Sequence, residues 1–141
     1  MTRVNTSRFG ELEVSEDRIV HFPEGLIGFP RLKRYMLLDY KDTSIQWLQA
    51  VDDPDVAFIV ANPFLISSGY QFDLPDSAKE VLSAEDPSGL VVLVILRVED
   101  EKRVIANFHG PLVLNSKNMK GIQLALEDKS INKYTRVVDL A

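Results

Sequence analysis

Short apolar runs separated by turn chemistry limit what this chain can fold into. The longest uninterrupted apolar run, Leu90–Leu96, is seven residues. The roughly 20 residues of a membrane-spanning helix are never approached. Helical spacing is confined to Pro75–Ser83, where Ala78, Val81 and Leu82 share a face and Asp76 is placed to cap the first turn. Everything else favours strands. In Phe9–Ser15, Leu12 and Val14 alternate with Glu11 and Glu13, which is a strand with one wet face. Arg18–Phe22 follows and stops at Pro23, which has no N–H for a ladder.

Further runs follow at similar spacing. Tyr35–Tyr40 is a short strand, and the residues before it, Pro30–Arg34, allow one helical turn. Ile45–Val51 and Val56–Ala61 flank Asp52-Asp53-Pro54-Asp55, so they read as a hairpin with an acidic link. The second of them, apolar throughout, is expected to be buried on both faces. Leu90–Val98 is rich in β-branched residues and suits a central strand. Arg103–His109 pairs back on it. Pro111–Leu114 and Ile122–Leu126 flank a polar loop, and Tyr134–Leu140 reads as a last strand or an ordered tail. The expectation is a mainly β, single-domain antiparallel barrel-like fold over residues 1–141, with one or two short helices.

Composition removes whole classes of chemistry. The 141 residues include no cysteine and only two histidines, His21 and His109. Disulfides, thiol catalysis, cysteine–zinc sites and histidine-rich metal centres are therefore out. Asp52-Asp53-Pro54-Asp55 lacks the alternation, glycine and distal glutamate of a calcium loop. There is no phosphate loop and no nucleophile elbow. No metal, cofactor or enzymatic activity is expected. The N-terminus carries no apolar signal core, so the expected location is the cytoplasm.

The net charge of −5 is unevenly spread: residues 39–101 hold thirteen acids and three bases. Such a centre repels phosphate backbones and suits a basic protein partner. Two loops stand out. Phe22-Pro23-Glu24-Gly25-Leu26-Ile27-Gly28-Phe29 is either a tight corner whose Leu26 and Phe29 plug the core, or an exposed loop offering Ile27 and Phe29 to a partner. Asn115, Lys117, Asn118 and Lys120 form a polar loop, either a solvated tip or a hydrogen-bonding contact.

Four motifs, in order, resemble the FliW family of flagellar assembly factors. Residues 22–29 match its Phe-Pro-Glu-Gly-Leu-x-Gly-Phe element. Trp47-Leu48-Gln49-Ala50-Val51-Asp52-Asp53-Pro54, followed by Asn62-Pro63-Phe64, matches a second. Tyr70–Asp76 matches a third and Gly110–Gln123 a fourth. The likeness runs from about Phe9 to Asp128. Ile27, Gly110 and Ser116 stand where the family has Pro, Ala and Thr, and Lys129–Ala141 shows no family pattern.

The resemblance implies a non-enzymatic partner switch on an antiparallel β-barrel-like domain. Its partners would be flagellin and CsrA, the RNA-binding regulator that blocks flagellin translation, with no direct nucleic-acid or membrane contact. Partner contacts are expected at Ile27, Phe29, Asp73, Asn115, Lys117 and Asn118, whereas Trp47, Leu48 and Phe64 are expected in the core. Other readings are a flagellin chaperone with no regulatory role, an RNA-binding barrel using the bases within 117–136, and an enzyme with an unrecognised site.

Overall fold

The computed structural model describes residues 1–40, 42–84, 88–100, 103–126 and 135–137. The chain opens with a hairpin of β1 (Thr2–Thr6) and β2 (Gly10–Val14) and a single 3-10 turn, Glu16–Arg18. Next come β3 (Ile19–His21), β4 (Arg34–Asp39), β5 (Ile45–Ala50) and β6 (Ala57–Ala61). Two helices, α1 (Pro63–Ile66) and α2 (Asp76–Leu82), lead to β7 (Leu90–Val98). The remaining strands are β8 (Arg103–Ala106), β9 (Leu112–Asn115), β10 (Lys120–Gln123) and β11 (Thr135–Val137).

Seven strands close a barrel in the order β7-β6-β5-β4-β3-β10-β9 and back to β7. The long β7 makes closure possible. Its first half pairs with β9 and its second half with β6, while β8 continues along the β9 edge and carries β11. All of these pairings are antiparallel except one: β3 and β10 run parallel and share the single pair His21–Lys120.

Period-two alternation fills the barrel. Val20, Phe22, Leu26, Tyr35, Leu48, Val60, Leu93, Leu112 and Leu114 form the interior cluster. The Phe22 and Tyr35 rings meet edge to face, 5.4 Å apart. The opposite faces also stay dry. Val94, Leu96, Val104 and Ala106 pack beneath Tyr70, and Val113, Ile122 and Leu124 pack beneath Ala78 and Leu82 of α2. The continuous apolar runs thus have a physical cause: β6 places Val60 inside the barrel and Ala61 in the outer cluster, so the end of this strand has two buried faces. Its first residues, Ala57 to Ile59, are only half-buried.

The acidic hairpin link is built around one side chain. Gln49 is fully buried, and its Nε2 donates toward the carbonyls of Ala50, Asp53, Pro54 and Val56 at 3.0–3.4 Å. Arg34 fixes the link from outside through Nε and Nη2, 3.1 and 2.6 Å from the Asp52 carboxylate. This hydrogen bond holds the Asp52 carboxyl below, and the Arg34 guanidinium above, their ordinary ranges.

The structure adds to and corrects several local expectations. Thr2–Thr6, to which the sequence pattern gives no assignment, is a strand although mostly polar. Pairing with β2 and the Ser7 N–H donated to Pro54 O (2.9 Å) hold it there. Pro30–Arg34 makes a turn rather than a helix. Asp76 is the first residue of α2 and caps nothing, because Pro75 occupies the cap position. His21 points to solvent and contributes its backbone N–H to Met119 O. Trp47 is half-buried, with the Phe9 ring at 5.8 Å and the Arg8 guanidinium 4.8 Å above it. Of the tail, only Thr135–Val137 falls within the described residues.

Candidate interaction surfaces

The Phe22–Phe29 loop is part buried and part exposed, at different residues. Pro23 ends β3, and Gly25 turns the chain at φ +69° with its N–H on Phe22 O. Leu26 and Phe29 then exchange backbone hydrogen bonds, leaving Ile27 and Gly28 at the tip. Leu26 is buried in the barrel, whereas Ile27 is 62% exposed. Phe29 does both: it is 36% exposed and meets Phe58 edge to face at 5.4 Å. The tip is held from β10, where Gln123 Oε1 accepts the Ile27 N–H at 2.8 Å. Its Nε2 donates to Gly110 O at 3.1 Å. Gln123 was not among the expected residues, since its partner lies 96 positions away.

The polar loop is more constrained than its composition suggests. Asn115 and Asn118 both donate through Nδ2 to Leu82 O at 2.9 Å, capping the C-terminal end of α2. Their Oδ1 atoms accept the N–H groups of Lys117 and Lys120, which closes the turn. Lys117 Nζ donates to Ser88 Oγ at 2.9 Å and Lys120 Nζ to Ser83 Oγ at 3.2 Å. Lys117 and Asn118 remain exposed. Asn115 is buried, contrary to the expectation of a contact residue, because α2 lies over the end of β9. It positions the loop. Asn115→Ala should therefore cost about 1–3 kcal/mol by stranding buried polar groups. Thermal unfolding measures this, and an unchanged Tm would refute the anchoring role.

Asp73 is exposed in the stretch joining α1 to α2, just after Phe72, which packs into both outer clusters. The six expected residues do not form one patch. β10 runs from the polar loop toward Gln123, so Lys117 and Asn118 sit at one end of the barrel wall. Ile27 and Phe29 sit at the other. Phe64, expected in the core, is instead 43% exposed, and its neighbour Leu65 is 69% exposed. Leu48 is core, as expected.

Among the described residues no three His, Cys, Asp or Glu side chains are grouped to hold a metal ion. Among the same residues no helix is long and apolar enough to cross a membrane. A closed seven-stranded barrel filled by its own side chains, with an apolar and a polar loop exposed at its two ends, defines the class as a β-barrel protein.

Comparison with known proteins narrows that class. The family model described as "FliW protein" matches residues 3–136. The flagellar assembly factor FliW of Alkaliphilus metalliredigens is 41% identical over 129 residues, covering 89% of this chain and 80% of that protein. The protein of the same name from Moorella thermoacetica is 38% identical over 136 residues, covering 94% and 84%. A crystal structure of the flagellar assembly factor FliW superposes with a TM-score of 0.83 at 30% identity, over 98% of this chain and 95% of that one. The chain belongs to the FliW family.

Proposed function

We propose that this chain is a cytoplasmic flagellar assembly factor that acts by exchanging protein partners. The observation that carries this reading is the FliW match, which runs through all four motifs across residues 3–136. While flagellin accumulates, it occupies the factor. Export of flagellin frees the factor, which then binds CsrA away from its RNA surface and lifts the block on flagellin translation. The acid-rich centre supports the second step, because opposite fields speed encounter with a basic regulator. Screening over about 8 Å at physiological salt leaves affinity to a few apolar contacts. Ile27, Phe29, Asp73, Lys117 and Asn118 are the contact residues proposed, with Asn115 holding the loop that carries Lys117 and Asn118.

Calorimetric titration with CsrA and flagellin from the same organism tests the switch. The expected result is tight CsrA binding that flagellin abolishes. Binding of flagellin alone would leave a chaperone without a regulatory role, and binding of neither would overturn the reading. Ile27→Ala and Asp73→Lys should weaken binding with Tm unchanged; a lower Tm with undiminished affinity would remove them from the contact surface.

A further inference from the structure

The tip of the Phe22–Phe29 loop has a shape that its own backbone does not favour. Leu26 and Phe29 are joined by a two-residue link, Ile27-Gly28, closed by the Phe29 N–H on Leu26 O at 2.8 Å. Gly28 stands at φ +89° and Ile27 lies outside the left-handed region, which is the pattern of a type II turn. Two-residue links between paired segments favour the mirror-image turns, whose twist matches the strands; a type II turn splays them. It also leaves the N–H of its second residue, here Ile27, without a partner inside the turn. A tip of this kind needs a hold from outside.

Gln123 supplies it. Ile122 and Leu124 pack beneath α2, so the side chain between them turns to the other face of β10. There its amide is fixed at both ends: Oε1 accepts the Ile27 N–H at 2.8 Å, and Nε2 donates to Gly110 O at 3.1 Å. The two bonds require the same orientation of the amide, so each secures the other. The backbone that carries it is also fixed, because Gln123 pairs with Leu112 and the Leu124 N–H donates to Pro111 O at 2.9 Å. Gly110 makes the room. A Cβ there would lie 2.9 Å from Gln123 Nε2 and 2.8 Å from Asn107 Nδ2, so a side chain would push the amide away. Gly110 is not left-handed, so its missing side chain serves space rather than backbone conformation.

We propose that Gln123 is a positioning residue for protein binding: set in place by Gly110, it presents Ile27 in one conformation and raises affinity without touching the partner. This rests on the reading that Ile27 is a contact residue. The means is preorganisation. An exposed apolar side chain on a tip already held loses less freedom on binding than one on a tip that must first be ordered.

The test compares the full chain with two variants. Gln123→Met keeps the length of the side chain and removes both hydrogen bonds, and Gly110→Ala displaces the amide while leaving Gln123 itself unaltered. Ile27→Ala marks which partner, flagellin or CsrA, meets the tip. Amide exchange at Ile27, read by NMR, should quicken roughly fivefold in both variants. Calorimetric titration well below each Tm should show affinity for that partner lowered about three- to tenfold, equally at low and high salt because no charge changes. In an Ile27→Pro background the ring presets the φ that a type II turn needs and no N–H remains to be held. Gln123→Met should have no further effect there. Unchanged exchange at Ile27 in both variants would refute the hold. Faster exchange with undiminished affinity, where Ile27→Ala does weaken binding, would overturn the positioning role and leave the contact reading standing. If Ile27→Ala binds as the unaltered chain does, or the unaltered chain binds neither protein, the contact reading and the positioning role fall together.

Discussion

Gly25→Ala is expected to cost roughly 3–5 kcal/mol, on top of which few small domains remain folded at physiological temperature. Two effects add. The residue sits at φ +69°, where a side chain meets its own backbone. An added Cβ would also lie 2.7 Å from Phe29 O and from Pro30 Cα and O, and these are backbone atoms that no rotamer change can move. Gly28 supplies the control. Its φ is +89°, yet a Cβ there meets nothing within 4 Å. Gly28→Ala should therefore cost only the conformational part, about 1 kcal/mol. Urea unfolding of the two variants separates the effects, and equal midpoints would refute the steric argument.

The second large effect is alkaline. Burial pushes the phenols of both Tyr35 and Tyr70 up to about 12, with Asp53 adding to the effect at Tyr35. A raised folded-state value keeps the phenol neutral in the barrel while the unfolded chain ionises near 10. The stabilisation is complete below pH 10 and is lost as pH rises from there toward 12. Together the two residues are worth on the order of a few kcal/mol across that window. The tyrosines differ in what they lose on truncation. Tyr70 donates to Phe108 O, so Tyr70→Phe should cost about 1 kcal/mol at neutral pH. Tyr35 Oη is buried with no partner among the described residues, so Tyr35→Phe should be neutral or stabilising and should flatten the alkaline loss. Urea midpoints measured from neutral pH to pH 12 check both, and an alkaline slope unchanged in Tyr35→Phe would refute the role given to that residue.

The strands were legible because their physics is local. β4 to β7 are short apolar runs bounded by turn residues, and the acidic link between β5 and β6 announces its own hairpin. What the sequence hides is long-range. α1 is a single turn inside an apolar stretch, so neither period emerges over Pro63–Ile66. The same lack of period leaves Phe64 looking like core, since nothing local says which way it faces. Asn115 sits in a polar loop but is buried, because a helix more than thirty residues earlier lies over it. The Phe22–Phe29 loop was half legible: its glycines mark the turn, but the Gln123 side chain that holds its tip comes from the far end of the chain.

The parallel seam between β3 and β10 bears on how the molecule forms. The strands from β3 to β8 pair almost entirely with sequence neighbours, so a sheet can grow as the chain emerges. That sheet is open, with β3 as one free edge. It cannot close until β9 and β10 exist, and the join then rests on one residue pair, His21 with Lys120, about a hundred positions apart. Joining ends so distant is slow relative to hairpin formation, because the entropy of the intervening loop is lost before the contact is gained. The period before closure is when the apolar lining of the barrel and an unpaired strand edge both face water. It is therefore the interval in which the nascent protein is most exposed to aggregation.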